Sequence, residues 1–396
     1  RDIARVLFGM DLQCAQCHDH PLVGDYAQAD YYGIYAFVNR SFLFTSKDKK
    51  TVALGEKAES DDSFRSVFDP DTVNQAAPHL PRGDAIEEPS FGEDEAYVVA
   101  PADGVRPVPK YSRRAELAES VRRGDSTRFH RNIVNRLWAH LLGRGIVHPL
   151  DHLGSSDDPP SHPELLEELA DWFTASGCDV RGLMREIANS AAYQRSSQIP
   201  DSCSPDTEPR ERLPRAAVRP LTPERLGLSV MQATGVRRGQ QDAAQGELET
   251  TDPRLYQLLE ADEPRTRRRG ELIEKATFAK LDGSLGDFVK RFGKLPGTPQ
   301  NLGFEATVHQ ALFVANSSTV MGWLAPSGDN LMPRMMAQDD AAAIQEMYLS
   351  VLSRLPDDDE AAEGEAFLAE LADAREEALR EYAWALLSSV EFRFNH

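Results

Sequence analysis

Apolar residues recur at helical intervals over most of this chain, and one stretch near its start abandons that period for short runs and turns. Ile3, Val6, Leu7 and Met10 repeat every three to four positions, which predicts a helix over 1–18. Cys14 and Cys17 extend the same face, because Ile3, Leu7, Met10, Cys14 and Cys17 are spaced 4, 3, 4 and 3 apart. Pro21 and Gly24 break the pattern. A second helix is predicted over 28–39, carrying Tyr31, Tyr32, Ile34, Tyr35, Phe37 and Val38. Between 41 and 110, Phe42–Phe44, Thr51–Leu54 and Tyr97–Val99 read as short strands set among Pro, Gly, Asp and Glu.

The helical period returns at 111. Leu117 and Val121 mark one helix; Ile133, Val134, Leu137, Trp138, Leu141 and Leu142 mark the next, closed by Gly143 and Gly145. Ser161-His162-Pro163-Glu164 reads as a capping box with Ser161 as the cap. It opens a helix with Leu165, Leu166, Leu169, Trp172 and Phe173, and another carries Leu183, Met184 and Ile187. Residues 200–215 read as a linker. Thr222 caps a helix that has Pro223 at its first position. The segment 236–300 is charged with few apolar anchors and reads as mobile. Three helices are predicted within 338–390, the first ended by Pro356. The expected fold class is mainly α and multi-helical, with a small β-containing or irregular subdomain near residues 41–110.

Length and charge narrow the picture. A chain of 396 residues exceeds one ordinary core and implies two or three packed units. With 44 basic against 64 acidic residues the net charge is −20 and no compact basic stripe offsets it, so nucleic acid is not an expected partner. No apolar run approaches the roughly 18 residues of a membrane span. The chain begins at Arg1 and reads as a processed form or a fragment, so the lack of a visible signal peptide carries no information about compartment. Four cysteines are too few for a disulfide framework; Cys178 and Cys203 read as a pair or as plain thiols.

The sharpest chemical signal is Cys14-Ala15-Gln16-Cys17-His18. C-x-x-C-H is the attachment signature of a c-type haem: each thiol forms a thioether to a vinyl group, and the histidine takes one axial position on the iron. Tyr31, Tyr32, Tyr35 and Phe37 lie near enough in sequence to offer the macrocycle an apolar wall. Remote candidates for the second axial position are His130, His140, His148, His152 and His162. Two other readings stand beside haem. Cys14, Cys17 and His20 have the spacing of three zinc ligands, and the cysteines could equally be structural thiols without any cofactor.

A second constellation lies in the helical middle. His140, His148, His152 and His162 fall close together with Asp151, Asp157 and Asp158, a composition suited to a metal or a general base and equally to solvated loops. There is no G-x-S-x-G, phosphate-cradling glycine loop or H-E-x-x-H. No catalytic residue is assigned.

These residues also carry a resemblance. Leu12-Gln13-Cys14-Ala15-Gln16-Cys17-His18-Asp19-His20-Pro21, with Asp30-Tyr31-Tyr32-Gly33 and Ala36-Phe37, resembles domain of unknown function 1549 of planctomycete-type proteins. Asn132-Ile133-Val134-Asn135-Arg136-Leu137-Trp138-Ala139-His140, Gly143-Arg144-Gly145, Pro159 to Leu166, Ala192 to Ser197, Gln310 to Phe313, Tyr348-Leu349 with Leu352-Ser353-Arg354, and Glu391-Phe392 to Asn395 resemble domain of unknown function 1553. The resemblance implies the C-terminal part of the first domain over 1–110 and the second over 111–396. It further implies an exported protein, periplasmic or extracellular, with a redox partner such as a cytochrome c module. The expected function is that of a c-type haem protein in electron transfer or redox catalysis, linked to degradation of external organic matter. The competing expectation is a non-enzymatic scaffold or binding module whose cysteine site is structural or holds zinc.

Overall fold

The computed structural model describes residues 1–47, 52–92, 95–123, 127–197, 215–251, 253, 263–292 and 318–395. It is mainly α-helical, with strands only in small two-stranded sheets among the described residues. Contacts divide the chain into two compact units, Arg1–Ala217 and Val218–His396.

The first unit opens with α1 (Asp2–Phe8), a 3-10 turn at Cys14–Gln16, and α2 (Gln28–Val38). Three antiparallel hairpins follow: β1 (Ser41–Thr45) with β2 (Val52–Glu56), β3 (Ser63–Ser66) with β4 (Asp69–Gln75), and β5 (Tyr97–Val99) with β6 (Val108–Pro109). In the first hairpin Ser41 faces Glu56 and Thr45 faces Val52. Helices α3 (Arg113–Arg123), α4 (Thr127–Leu142), α5 (Pro163–Ala175) and α6 (Val180–Asn189) complete the unit.

The predicted apolar stripes do the packing here. Val134, Trp138 and Leu142 recur every fourth residue on α4 and meet Leu166, Ala170 and Phe173 of α5 and Leu183 and Ile187 of α6. Asp179 caps α6 by accepting from the Gly182 amide at 3.0 Å. The cap expected at Ser161 does not form. Helix α5 begins after His162, and the Ser161 hydroxyl instead donates to the Ile146 carbonyl at 3.0 Å. The Ser161 amide donates to that same carbonyl, so the crossing of the two segments has claimed the side chain that local sequence assigned to the helix.

The second unit contains α7 (Pro223–Ala233), α8 (Val236–Thr251), α9 (Glu263–Phe292), α10 (Ser318–Trp323), α11 (Leu331–Met336), α12 (Asp340–Leu352), α13 (Asp358–Glu370) and α14 (Arg375–Ser388). A short pair, β7 (Arg219–Pro220) with β8 (Phe394–Asn395), joins its two ends. Thr222 caps α7 as expected, accepting from the Arg225 amide. Its core gathers Val230, Phe288, Met332, Ile344, Met347, Leu379 and Phe392, among others.

Where it is described, the charged segment 236–300 forms α8 and α9. Few anchors suffice because they share a face. Ile273, Thr277, Leu281 and Phe288 of α9 are buried, as is Ala244 of α8, and the charges pair on the outside as Arg237–Glu274 and Lys280–Glu247. The linker expected at 200–215 lies outside the described residues except for Arg215. No helix among the described residues is long and apolar enough to cross a membrane.

Candidate functional site

The helix expected over 1–18 stops at Phe8. Gly9 takes a left-handed conformation, φ +64°, and a side chain there would sit 2.7 Å from the Asn132 Oδ1 and 2.9 Å from the Leu153 Cβ. Met10 then leaves the helix to pair with His152 in an antiparallel bridge. The single face drawn through Ile3, Leu7, Met10, Cys14 and Cys17 therefore does not exist, because a distant loop has taken over the backbone that would have continued the helix.

The cysteines meet by another route. Asp11 accepts from the Gln13 amide at 3.0 Å, and the chain closes one 3-10 turn, with the Cys17 amide donating to the Cys14 carbonyl at 3.2 Å. In such a turn residues three apart eclipse, which places positions 14 and 17 on one side. Both carry free thiols; Cys14 is half-buried and Cys17 exposed.

Two neighbouring histidines are set up in opposite ways. The His18 Nδ1 lies 2.6 Å from the Asp19 carbonyl. A carbonyl only accepts, so Nδ1 carries the proton and Nε2 keeps its lone pair, the arrangement of a metal-ligating imidazole. At His20 the Nδ1 accepts from the Leu22 and Val23 amides at 3.2 and 2.9 Å. The His20 proton therefore sits on Nε2, and neither nitrogen is poised to bind a metal. Burial pulls the His20 pKa down; Asp11 opposes this, and His152 and His18 add to it. Among the described residues no three His, Cys, Asp or Glu side chains group to hold a metal ion, and Cys14, Cys17 and His20 are no exception.

Aromatic rings surround the turn. The Tyr32 hydroxyl donates to the Gln16 carbonyl at 3.1 Å, and its ring stacks on Phe64 of β3 with centroids 4.2 Å apart. Tyr31 packs edge-on to Tyr32 and stacks on Tyr35. Phe68, at the β3–β4 turn and 81 % exposed, lies 5.1 Å from the His18 ring. The Val67 amide donates to the Cys17 carbonyl at 3.0 Å, which ties this hairpin to the cysteines. Phe37, expected in the same wall, is fully buried elsewhere with Phe8, Ile34, Leu80 and Leu117. A cavity of about 30 Å³ lined by Ile3, Leu12, Tyr31 and Tyr35 does not include either cysteine.

The donor set thus fits an attached haem: two free thiols one turn apart, one imidazole with its outer nitrogen unused, and apolar rings beside them.

Comparison with known proteins follows this geometry. Residues 113–368 match the family described as PSD1, protein of unknown function DUF1553. This chain belongs to the DUF1553 family. Residues 1–42, which hold the C-x-x-C-H turn, match PSCyt2, protein of unknown function DUF1549. No curated protein and no solved structure matches the chain.

Within the DUF1553 region, the Asn132–Arg136 stretch acts as a clamp. The Asn132 Nδ2 donates to the Val6 carbonyl at 2.7 Å, and the Arg136 guanidinium donates to the Arg5 carbonyl at 2.6 Å while pairing with Asp151. Asn135 holds both the amide and the carbonyl of Val147 at 2.9 Å. The loop beyond is stitched to the DUF1549 segment. The Asp11 amide donates to the Asp151 carbonyl and the Leu153 amide to the Gly9 carbonyl, both at 2.9 Å. Tyr26 reaches the carbonyls of Asp151 and Leu153, and the Ser156 amide donates to Asp25 at 2.6 Å. Burial raises the Tyr26 pKa.

This stitching splits the expected histidine cluster. His152 pairs with Met10 just before the cysteine turn, with its Nδ1 2.7 Å from an Asp158 carboxylate oxygen. His162 stands just before α5 with its Nδ1 3.0 Å from the Ser161 hydroxyl and makes no capping bond, and His140 and His148 lie exposed on α4 and in the loop after it. His130 is buried against Phe129 and Phe173, and burial lowers its pKa. Cys178 is a free, exposed thiol; Cys203 lies outside the described residues. Phe64, Phe68, Tyr26 and the Asp25–Ser156 tie were not singled out from sequence. No spacing rule links a hairpin tip or a distant loop to a C-x-x-C-H turn.

Proposed function

We propose that this chain attaches a c-type haem through Cys14 and Cys17, with His18 ligating the iron, and works in electron transfer or redox catalysis outside the cytoplasm, linked to degradation of external organic matter. One observation carries the reading: the Asp19 carbonyl fixes the His18 proton on Nδ1, which leaves Nε2 as the metal-facing nitrogen beside two free thiols. The zinc alternative draws less support, because the two amides bonded to His20 commit its ring to the opposite tautomer. When bound, the haem supplies a one-electron iron couple. The thiols anchor it, the Asp19 carbonyl orients the imidazole, and Tyr31, Tyr32, Phe64 and Phe68 offer apolar contact. A haem held there would exchange electrons with a redox partner such as a cytochrome c module.

The test is a pyridine haemochrome spectrum on protein exported from a host with cytochrome c maturation. A c-type band is expected, and Cys17→Ser should abolish haem retention through denaturing electrophoresis. Colourless protein with about one zinc per chain would favour the scaffold reading instead.

A further inference from the structure

The β3–β4 hairpin lies in the stretch between the two family matches, yet it is docked on the cysteine turn. We propose that it walls the haem site on the His18 side, with Phe68 as a positioning residue that fixes the plane of the His18 imidazole and keeps water from its flank. This role rests on the haem reading and gives it a segment that supplies no ligand.

The hairpin is built to present its tip. Its register breaks between Phe64 and Ser66, and a bulge of this kind re-aims the groups beside it. The Arg65 carbonyl at the break accepts from the Gln28 Nε2 at 3.1 Å. Gln28 is 6 % exposed and also donates to the Gln16 carbonyl at 3.4 Å. Phe64 stacks on Tyr32, whose hydroxyl bonds that same carbonyl. Two side chains of α2 thus grip the hairpin and the cysteine turn together. At the tip Ser66 faces Asp69, the Phe68 amide donates to the Ser66 hydroxyl at 3.3 Å, and the Arg65 guanidinium donates to the Pro70 carbonyl at 2.6 Å. The Val67 amide is given to Cys17, the residue before His18.

This frame sets the Phe68 ring 5.1 Å from the His18 ring with their planes 43° apart, within the range of a packed aromatic pair. Phe68 belongs to none of the apolar cores, and its packing there contributes little to the fold. The Asp19 carbonyl holds one nitrogen of His18; a single hydrogen bond leaves the ring free to turn about it, and contact from Phe68 removes that freedom. A ligating imidazole stands upright on the macrocycle, so a side chain on its flank lies on the same side of the iron. There it excludes water. Ferric iron carries one more positive charge than ferrous, so a drier site disfavours the ferric form and raises the potential.

The experiment compares wild type with Phe68→Ala, Phe68→Tyr and Val73→Ser, exported from a host with cytochrome c maturation. The midpoint potential is read by mediated titration, and the haem-methyl proton shifts of the ferric protein report the imidazole plane. Phe68→Ala should keep the covalent haem and the wild-type melting temperature, because the side chain is exposed, while the potential falls and the methyl shifts change. Phe68→Tyr should restore both, and Val73→Ser, exposed on β4, should alter neither. In the haem-free chain Phe68→Ala should move the His18 ring-proton resonances, since it removes the ring current of a neighbouring phenyl. Unmoved His18 resonances, a wild-type potential and methyl pattern in Phe68→Ala, or an equal fall in Val73→Ser would overturn the role of Phe68 and leave haem attachment standing. Wild-type protein that takes up no haem would overturn both.

Discussion

Single hydrogen bonds decide what the polar residues of this protein can do. His18 and His20 differ chemically because one ring nitrogen faces a carbonyl and the other two amides. His152 is held in another way, with its Nδ1 2.7 Å from an Asp158 carboxylate oxygen. Its backbone pairs with Met10, just before the cysteine turn. Asn135 is a purely structural counterpart. It is 0 % exposed and satisfies both polar groups of Val147, which is 1 % exposed. Asn135→Ala leaves two buried groups unpaired and should cost about 2–4 kcal/mol, read from the urea midpoint at unchanged m-value.

At the scale of elements, contact with a distant segment overrides local periodicity at α1. The helical pattern through Cys17 is real in the sequence, yet Gly9 and the Met10–His152 bridge end the helix after Phe8. The strap between Asp25 and Ser156 is part of the same seam. The Ser156 amide and hydroxyl, with Arg82, pull the Asp25 pKa down from 3.8 to about 2. Its folded value lies below its unfolded one, so the strap contributes stability that is complete above the unfolded value and lost as pH falls through the folded one. The melting temperature should therefore drop between about pH 4 and pH 2, and Asp25→Asn should flatten that acid limb. An unaltered limb would show that other carboxylates govern it.

At the scale of the molecule, each unit closes its own core. The apolar clusters of residues 1–217 draw on α1 to α6, and that of the second unit on α7 and α9 to α14. Residues 1–217 expressed alone should keep their helical circular dichroism and melt cooperatively. Leu183, 0 % exposed between α4 and α5, is the position to challenge: Leu183→Ala should destabilise that fragment by about 2–5 kcal/mol. A broad, non-cooperative melt of the wild-type fragment would show that the core is incomplete without the rest of the chain. The DUF1553 match runs through both units.

Periodicity, cap residues and composition determined the mainly α class, the hairpin subdomain, the helices α4, α5, α6 and α12 to α14, and the cap at Thr222, because these follow from interactions within a few residues of one another. The C-x-x-C-H turn and its histidines were legible as chemistry for the same reason. Tertiary structure decided the rest. It ended α1 at Gly9, turned Ser161 away from its helix, hid the sparse anchors of α9 on one face, and separated His152 from the other histidines of its cluster by pinning its loop to residues 9–26. Each outcome depends on which groups far apart in the chain satisfy one another's hydrogen bonds once water is excluded, and no local pattern encodes that choice.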